Sequence, residues 1–256
     1  MDPHTASDSE LVDFCLHGPP DRIIGGIPYG PRVARVSDEV VIKYSPHVTK
    51  YEAENQQRAY ELVDPSIVRI PRVHRYFQDE KGVGYIMMEF LEGKTIDPLE
   101  DPTLIDRVVK VLDHFSTISG QKPGNLAGGP CAGILWESSQ PLNFSTITEM
   151  EAWLNSRLLP GEGTVSLRES DLVLCHLDIA PRNIIWQDDG TICIVDWESA
   201  CFYPRLFEFW THWNIEGKDG NFNSLLLNAM TPLPSHELSQ KDRVCRLWYN
   251  TQKYAL

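Results

Sequence analysis

Alternation and helical periodicity divide the chain into two unlike parts. Val33 to Val36 and Val40 to Tyr44 are short β-prone runs, and Ser37-Asp38-Glu39 between them has the composition of a hairpin turn. Thr49 to Val63 is patterned as a helix and closes at Asp64-Pro65. Arg72 to Phe77 and Gly84 to Phe90 make a second strand pair around the polar turn Gln78-Asp79-Glu80-Lys81-Gly82. Residues 20–90 therefore predict the order β-β-α-β-β, a small antiparallel sheet with one main helix. Upstream of it, residues 1–9 read as loose and Glu10 to Leu16 as one short helix.

After Leu91-Glu92-Gly93 the pattern changes. Asp101-Pro102 starts a helix, with an N-cap acid followed by proline at the first helical position. Leu104, Ile105, Val108, Leu112, Phe115 and Ile118 then recur at helical spacing. Residues 120–145 are rich in Gly, Pro and Ser and read as an ordered surface loop. Thr148-x-x-Glu151 reads as a capping box opening a helix to about Leu158. Leu172 to Leu177 is strand-like, and Asn183 to Trp186 and Thr191 to Val195 flank the turn Asp188-Asp189-Gly190, which reads as a hairpin and not as a metal cluster. Leu206 to Trp213 and Glu237 to Tyr249 are patterned as helices. The division is thus an N-terminal extension (1–19), a sheet-and-helix unit (20–92) and a mostly helical unit (93–256), an α+β chain overall.

Composition narrows the function. With 36 acidic against 23 basic residues the net charge is -13, and no basic stripe offers itself to nucleic acid. No apolar run reaches the ~18 residues of a membrane span, and Met1-Asp2-Pro3-His4-Thr5 lacks the basic-then-apolar order of a cleaved signal. The six cysteines form no C-x-x-C pair and read as small buried hydrophobes in a reducing compartment, which predicts a cytoplasmic location. The sequence assigns no oligomeric state.

The chemistry concentrates in two stretches. Cys175-His176-Leu177-Asp178-Ile179-Ala180-Pro181-Arg182-Asn183 leaves one apolar strand, and Ile192-Cys193-Ile194-Val195-Asp196-Trp197-Glu198 ends another. Singly, Asp178, Asn183 and Asp196 would be turn and cap residues. Together their spacing suits phosphoryl transfer, where one carboxylate orients the attacking hydroxyl while an amide oxygen and a further carboxylate hold magnesium. Upstream, Lys43 sits inside the apolar run Val40-Val41-Ile42-Lys43-Tyr44. A lysine there is costly to bury unpaired and needs a counter-charge, which Glu52 or Glu54 on the following helix can supply. Trp186 and Trp197 read as packing residues.

In these motifs the chain resembles the aminoglycoside phosphotransferase family, its fungal members in particular, over about residues 20–215. That family shares the two-lobed protein-kinase-like fold with choline kinases and related small-molecule kinases. The resemblance implies an ATP- and magnesium-dependent transfer of the γ-phosphoryl group to a hydroxyl of a small molecule. It implies Asp178 as catalytic base, Asn183 and Asp196 as magnesium ligands, and Lys43 with Glu54 as the phosphate-gripping pair. Met88-Glu89-Phe90-Leu91 becomes the hinge against adenine, with Glu89, Phe90 and Leu91 binding the nucleotide, and His176 a structural residue of the loop. Two features depart from the family pattern. Leu177 stands where the family usually has glycine, and Gly25-Gly26-Ile27-Pro28-Tyr29-Gly30-Pro31-Arg32 does not fit G-x-G-x-x-G. The atypical phosphate loop motivates a second reading, a pseudokinase-like scaffold. A protein kinase is the third, against which stands the absence of H-R-D, D-F-G and A-P-E. The balanced charges of the C-terminal stretch give no support for a polycationic acceptor.

Overall fold

The computed structural model of the protein describes residues 2–26, 30–136, 141–214 and 219–254. In chain order the elements are α1 (Asp8–His17), β1 (Ile23–Gly26), β2 (Arg32–Arg35), β3 (Val40–Ser45), α2 (Lys50–Leu62), β4 (Val73–Gln78) and β5 (Gly84–Glu89). Then follow α3 (Pro102–Ser116), β6 (Gly124–Asn125), α4 (Ile147–Asn155), β7 (Val173–Cys175), β8 (Ile184–Trp186), β9 (Ile192–Ile194) and β10 (Cys201–Tyr203). The chain closes with α5 (Leu206–Asn214), α6 (Phe222–Ala229), α7 (Ser235–Leu238) and α8 (Lys241–Tyr254). Strands β1 to β5 form one antiparallel sheet in the order β1-β2-β3-β5-β4. The later strands form a three-stranded sheet, β6-β10-β7, and the β8–β9 hairpin.

Strand β3 explains how the first sheet is built. Every residue of Val40-Val41-Ile42-Lys43-Tyr44-Ser45 is buried, so both faces of this central strand are covered. Side chains alternate across a strand. Val40, Ile42 and Tyr44 pack with Leu11 and Cys15 of α1 and with Phe77, Tyr85 and Met87. Val41 lies on the other face, clustered with Ala53 of α2 and with Val48, Ile86 and Met88. Lys43 shares that parity, which aims it at α2 and at the helical part of the molecule.

The N-terminal residues are not loose. Ser7 makes a capping box with Glu10 at the start of α1. Arg75 of β4 donates to the carbonyl of Ala6 at 3.1 Å and pairs with Asp8 at 3.2 Å, and the Tyr44 hydroxyl donates to the Cys15 carbonyl at 2.8 Å. Their partners lie far along the chain, so no local pattern announces them.

In the helical part, Asp101 caps α3 by accepting from Thr103 N–H at 2.8 Å, and Ile105, Val108, Val111, Leu112 and Phe115 bury one face. The box that opens α4 is shifted from the expected one. Thr146 accepts from Glu149 N–H at 3.1 Å and Glu149 accepts from Ser145 N–H at 2.7 Å. Glu151 is instead buried and accepts from Leu167 N–H and Arg168. The β6-β10-β7 sheet has strands of two or three residues, too short for alternation to show. The single C-terminal helix expected over 237–249 is two helices, α7 and α8.

Three ties hold α2 and the segments that flank the first sheet against the β8–β9 hairpin and the loop after it. Lys94 and Trp186 exchange backbone hydrogen bonds at 3.0 and 2.8 Å, and Gly93 permits that approach, since a Cβ there would lie 2.6 Å from Trp186 O. Arg69 bonds likewise to Ile192 O and Ile194 N of β9 at 2.8 and 3.0 Å. Asn55, fully buried on α2, donates to Trp197 O at 3.0 Å and Ala200 O at 2.8 Å and accepts from Leu126 N–H at 2.9 Å. Replacing it strands three buried backbone groups at once. Asn55→Leu is expected to lower the unfolding free energy by roughly 2–4 kcal/mol in urea titrations, and a change within about 0.5 kcal/mol, the surface-substitution range, would contradict this tie.

Candidate active site

The site forms where β3, α2 and the loops after β7 and β9 meet. Lys43 Nζ lies 2.6 Å from Glu52 Oε1 and 3.0 Å from Asp196 Oδ1. The second contact brings together residues 153 positions apart in sequence. Burial by itself would lower the Lys43 pKa, but the Glu52 and Asp196 carboxylates outweigh it and hold the ammonium protonated. The expected partner Glu54 does not reach Lys43. It pairs with Lys50 one turn earlier on the solvent face of α2, at 3.0 Å.

The loop after β7 carries the next group. Asn183 Nδ2 donates to both the Asp178 carbonyl and Asp178 Oδ2, each at 2.8 Å. This spends the amide nitrogen on the loop and leaves the Asn183 amide oxygen for another partner. Asp178 Oδ1 accepts from Arg182 Nη2 at 2.6 Å, and Arg182 also lies 3.7 Å from Asp219. Burial pushes the Asp178 carboxyl above its ordinary value, Arg182 pulls it back, and Asp196 adds to the rise. His176 is fully buried, accepts from Asp178 N–H at 3.2 Å, and stands edge-on to Trp197 at 4.7 Å. Burial lowers its pKa to about 4, so it is a neutral brace for the loop.

Both loops turn through left-handed backbone, at Leu177 (φ 63°) and Asp196 (φ 70°). For a leucine this conformation costs about 1–2 kcal/mol. The structure thereby explains why glycine is the usual residue at the Leu177 position.

A family model described as the phosphotransferase enzyme family, APH, matches residues 29–233. The chain belongs to this phosphotransferase family. Mouse (Mus musculus) ethanolamine kinase 2 is 25% identical over 183 residues, which is 64% of this chain and 43% of that protein. The chain thus spans less than half the length of that relative. Among solved structures, a thermostable mutant of aminoglycoside phosphotransferase APH(4)-Ia in ternary complex with ADP and hygromycin B superposes with a TM-score of 0.61. The two are 14% identical, and the match covers 98% of this chain and 91% of the other. The GDP and kanamycin complex of an APH(2") enzyme superposes with a TM-score of 0.54 at 14% identity, covering 94% and 87%. The fold is therefore the two-lobed, kinase-like fold of the aminoglycoside phosphotransferases.

The APH resemblance also named a hinge and a phosphate loop. Glu89 is held by its side chain to Arg69 at 2.7 Å, and Phe90 N–H is spent on the Glu39 carbonyl at 2.8 Å. Leu91 N–H has no backbone acceptor among the described residues. Of the three, Leu91 is the one with a donor available to a base. In the phosphate loop, Ile27-Pro28-Tyr29 lie outside the described residues, while Gly25-Gly26 end β1 and Arg32 begins β2 in antiparallel register. Gly26, at φ 102°, lies so close to Pro31 that a Cβ would clash with its carbonyl.

Two contributors escaped the sequence reading, Arg182 on Asp178 and Asn55 between α2 and the Asp196 loop, and of the two glutamates it offers to Lys43 the structure selects Glu52, where the family resemblance points to Glu54. For Glu52 a signal existed. Residues 52, 56 and 59 share one helical face, marked as buried by Ala59, whereas Glu54 shares its face with Lys50, Arg58 and Glu61. The two glutamates should respond very unequally to removal. Glu52→Ala is expected to cost about 3–5 kcal/mol, since it breaks a buried pair. Glu54→Ala is expected to cost at most ~0.5 kcal/mol, as befits a half-exposed pair on a helix surface. Chemical denaturation of both variants decides it, and equal losses would contradict the pairing.

Proposed function

We propose that this member of the APH family transfers the γ-phosphoryl group of ATP to a hydroxyl group of a small molecule. The observation that carries the reading is the meeting of Lys43, Glu52 and Asp196 from elements far apart in sequence, beside the Asn183–Asp178 pair, whose Asn183 backbone carbonyl accepts from Val195 N–H at 3.1 Å next to Asp196. A scaffold has no physical need for a buried lysine held protonated between two carboxylates beside a second, independently braced carboxylate. The kinase activity in the name of the ethanolamine kinase relative, and the ADP in the APH(4)-Ia complex, support the same reading.

In this reading ATP lies between the sheet and the helices, its base against Leu91 and its phosphates at Lys43. Glu52 keeps the Lys43 ammonium charged and aimed. The available donors fit a magnesium ion, which takes hard oxygens and keeps phosphate and water among its ligands. They are the Asp196 carboxylate and the Asn183 amide oxygen, left over when Asn183 Nδ2 is spent on Asp178. When bound, the ion would neutralise charge on the phosphates. Asp178 accepts the proton of the acceptor hydroxyl as its oxygen forms a bond to the γ-phosphorus and the bond to the ADP oxygen breaks. Positioning and charge neutralisation supply most of the acceleration, and proton transfer roughly 10²–10⁴-fold. The acceptor class is a small alcohol. We also place the chain in the cytoplasm, supported by its six free thiols. No helix among the described residues is long and apolar enough to cross a membrane.

Two measurements test this. Asp178→Ala and Asp196→Ala should each cut turnover by roughly 10²–10⁴-fold or more while leaving the melting transition cooperative, in a nucleotide-consumption screen over small alcohols. A folded Asp178→Ala protein with near wild-type turnover would remove the mechanism. The pH profile carries a sign. A base must be ionised, and burial raises the Asp178 pKa above its ordinary 3.8, so kcat/KM should fall on acidification at a pH above that value. Because Arg182 pulls that pKa down, Arg182→Gln should move the acid limb to higher pH, and a shift to lower pH would contradict the assignment.

A further inference from the structure

Behind the catalytic loop lies a buried pair that the mechanism above does not use. Glu208, on α5, is 3% exposed. Its Oε2 accepts from the N–H groups of His176 and Leu177, at 2.7 and 3.1 Å. These two bonds hold the loop at its left-handed turn, immediately before Asp178. The other oxygen, Oε1, is buried and has no hydrogen-bond partner among the described residues. One turn on, fully buried His212 places Nε2 3.9 Å from Oε1, and that nitrogen has no hydrogen-bond partner either.

The chemistry of the two atoms does not permit them to be as they stand. His212 Nδ1 lies 2.8 Å from Asn223 Oδ1. An amide oxygen only accepts, so Nδ1 carries the hydrogen and Nε2 of the neutral ring is an acceptor. An ionised carboxylate is acceptor-only as well. Two acceptors would then face each other at buried positions, with the His212 ring edge-on to Phe222. A buried acceptor left without a donor is costly, and a single proton between the two supplies what both lack.

We propose that Glu208 keeps its proton up to the neutral range, on Oε1 and directed at His212 Nε2 across their 3.9 Å contact, while Oε2 accepts the two loop N–H groups. It is a positioning residue: it fixes the turn that presents Asp178 without adding a second negative charge behind it. The alternative, an imidazolium facing a carboxylate, would desolvate two ions for one contact. The surroundings agree. Burial pushes the Glu208 carboxyl up to about 7, against the two N–H bonds, with Asp178 adding to the rise and Arg205 opposing it. Burial pushes His212 down to about 4, with Asn223 and Asp219 opposing. His176, Cys175 and Cys201, on the loop and strands packed against the pair, are further titratable neighbours, and none of them bonds to Oε1 or Nε2.

The test is Glu208→Gln, whose amide offers the same acceptor to the loop and a permanent donor to His212. An acid whose pKa is raised in the folded state binds more protons there than in the unfolded chain. Wild-type stability therefore declines, relative to Gln, as pH rises from the ordinary 4.5 to about 7, and the difference is constant above. The melting-temperature gap between Gln and wild type should open in that window in favour of Gln. A Gln variant less stable at every pH, with no such opening, would overturn the proposal. Should that variant fail to fold, the ring nitrogen shifts of His212 in 15N-labelled wild type decide. A neutral Nδ1–H ring whose Nε2 shift moves as Glu208 loses its proton near pH 7 supports the shared proton, and an imidazolium, or a neutral ring whose shifts stay flat between about pH 5 and 8, refutes it. The positioning role rests on reading Asp178 as the base and is tested apart from stability. Removing a neutral acid leaves the acid limb of the kcat/KM profile in place, whereas removing a carboxylate would shift it to lower pH and overturn the neutral anchor. Absence of any phosphotransfer would fail the functional reading alone, since the melting and ring-nitrogen measurements need no turnover.

Discussion

The ion triad of Lys43, Glu52 and Asp196 is the constraint around which the rest of the molecule is arranged. A lysine in the middle strand of a sheet covered on both faces is an expensive placement unless it is paired. Two carboxylates from different elements meet that cost, and they can do so only if α2 packs across the sheet and the β9 loop rises to the same point. The interaction therefore fixes the relation of sheet to helices as well as the charge of one side chain. Asn55 repeats the tie a turn further along α2, through hydrogen bonds to the backbone that follows Asp196.

The helical part holds its loops by a different means. The chemistry-bearing side chains stand on short segments between strands of three residues, so precision comes from what lies behind them. His176, Trp197 and Glu208 are buried and polar or aromatic, and each makes contact with the loop backbone or the residue that supports it. The left-handed turn at Leu177 stores local strain directly beside Asp178. That strain persists because the surrounding bonds leave the loop no alternative path.

Much of this was legible in advance, and the limits have physical causes. The order of β2, β3, α2, β4 and β5, the α3 start at Asp101-Pro102 and the hairpin at Asp188-Asp189-Gly190 are written in local pattern and the structure has them, but it adds a strand ahead of them, β1, whose Ile23-Ile24-Gly25-Gly26 shows no alternation. Asp178 and Asn183 stand on one loop, so their contact is set by local spacing, whereas Asp196 comes from the loop after β9 and meets Lys43 only through the fold. Both glutamates are offered to Lys43 by position alone and the resemblance points to Glu54, although helical phase favours Glu52. The packing of α1 and the roles of Asn55, Arg182 and Glu208 depend on partners remote in sequence, which no local window contains. The strands of the β6-β10-β7 sheet are too short for a period of two to register.

The central claim is that the triad is a triphosphate site and not a structural ion pair. Calorimetric titration of ATP with magnesium into wild type and into Lys43→Met addresses it without requiring the acceptor to be known. The account predicts saturable binding at one site in the wild type, weakened at least about tenfold (about 1.4 kcal/mol) in a Lys43→Met protein that still melts cooperatively. Equal affinity in the two proteins, or no binding to the wild type at millimolar nucleotide, would contradict it.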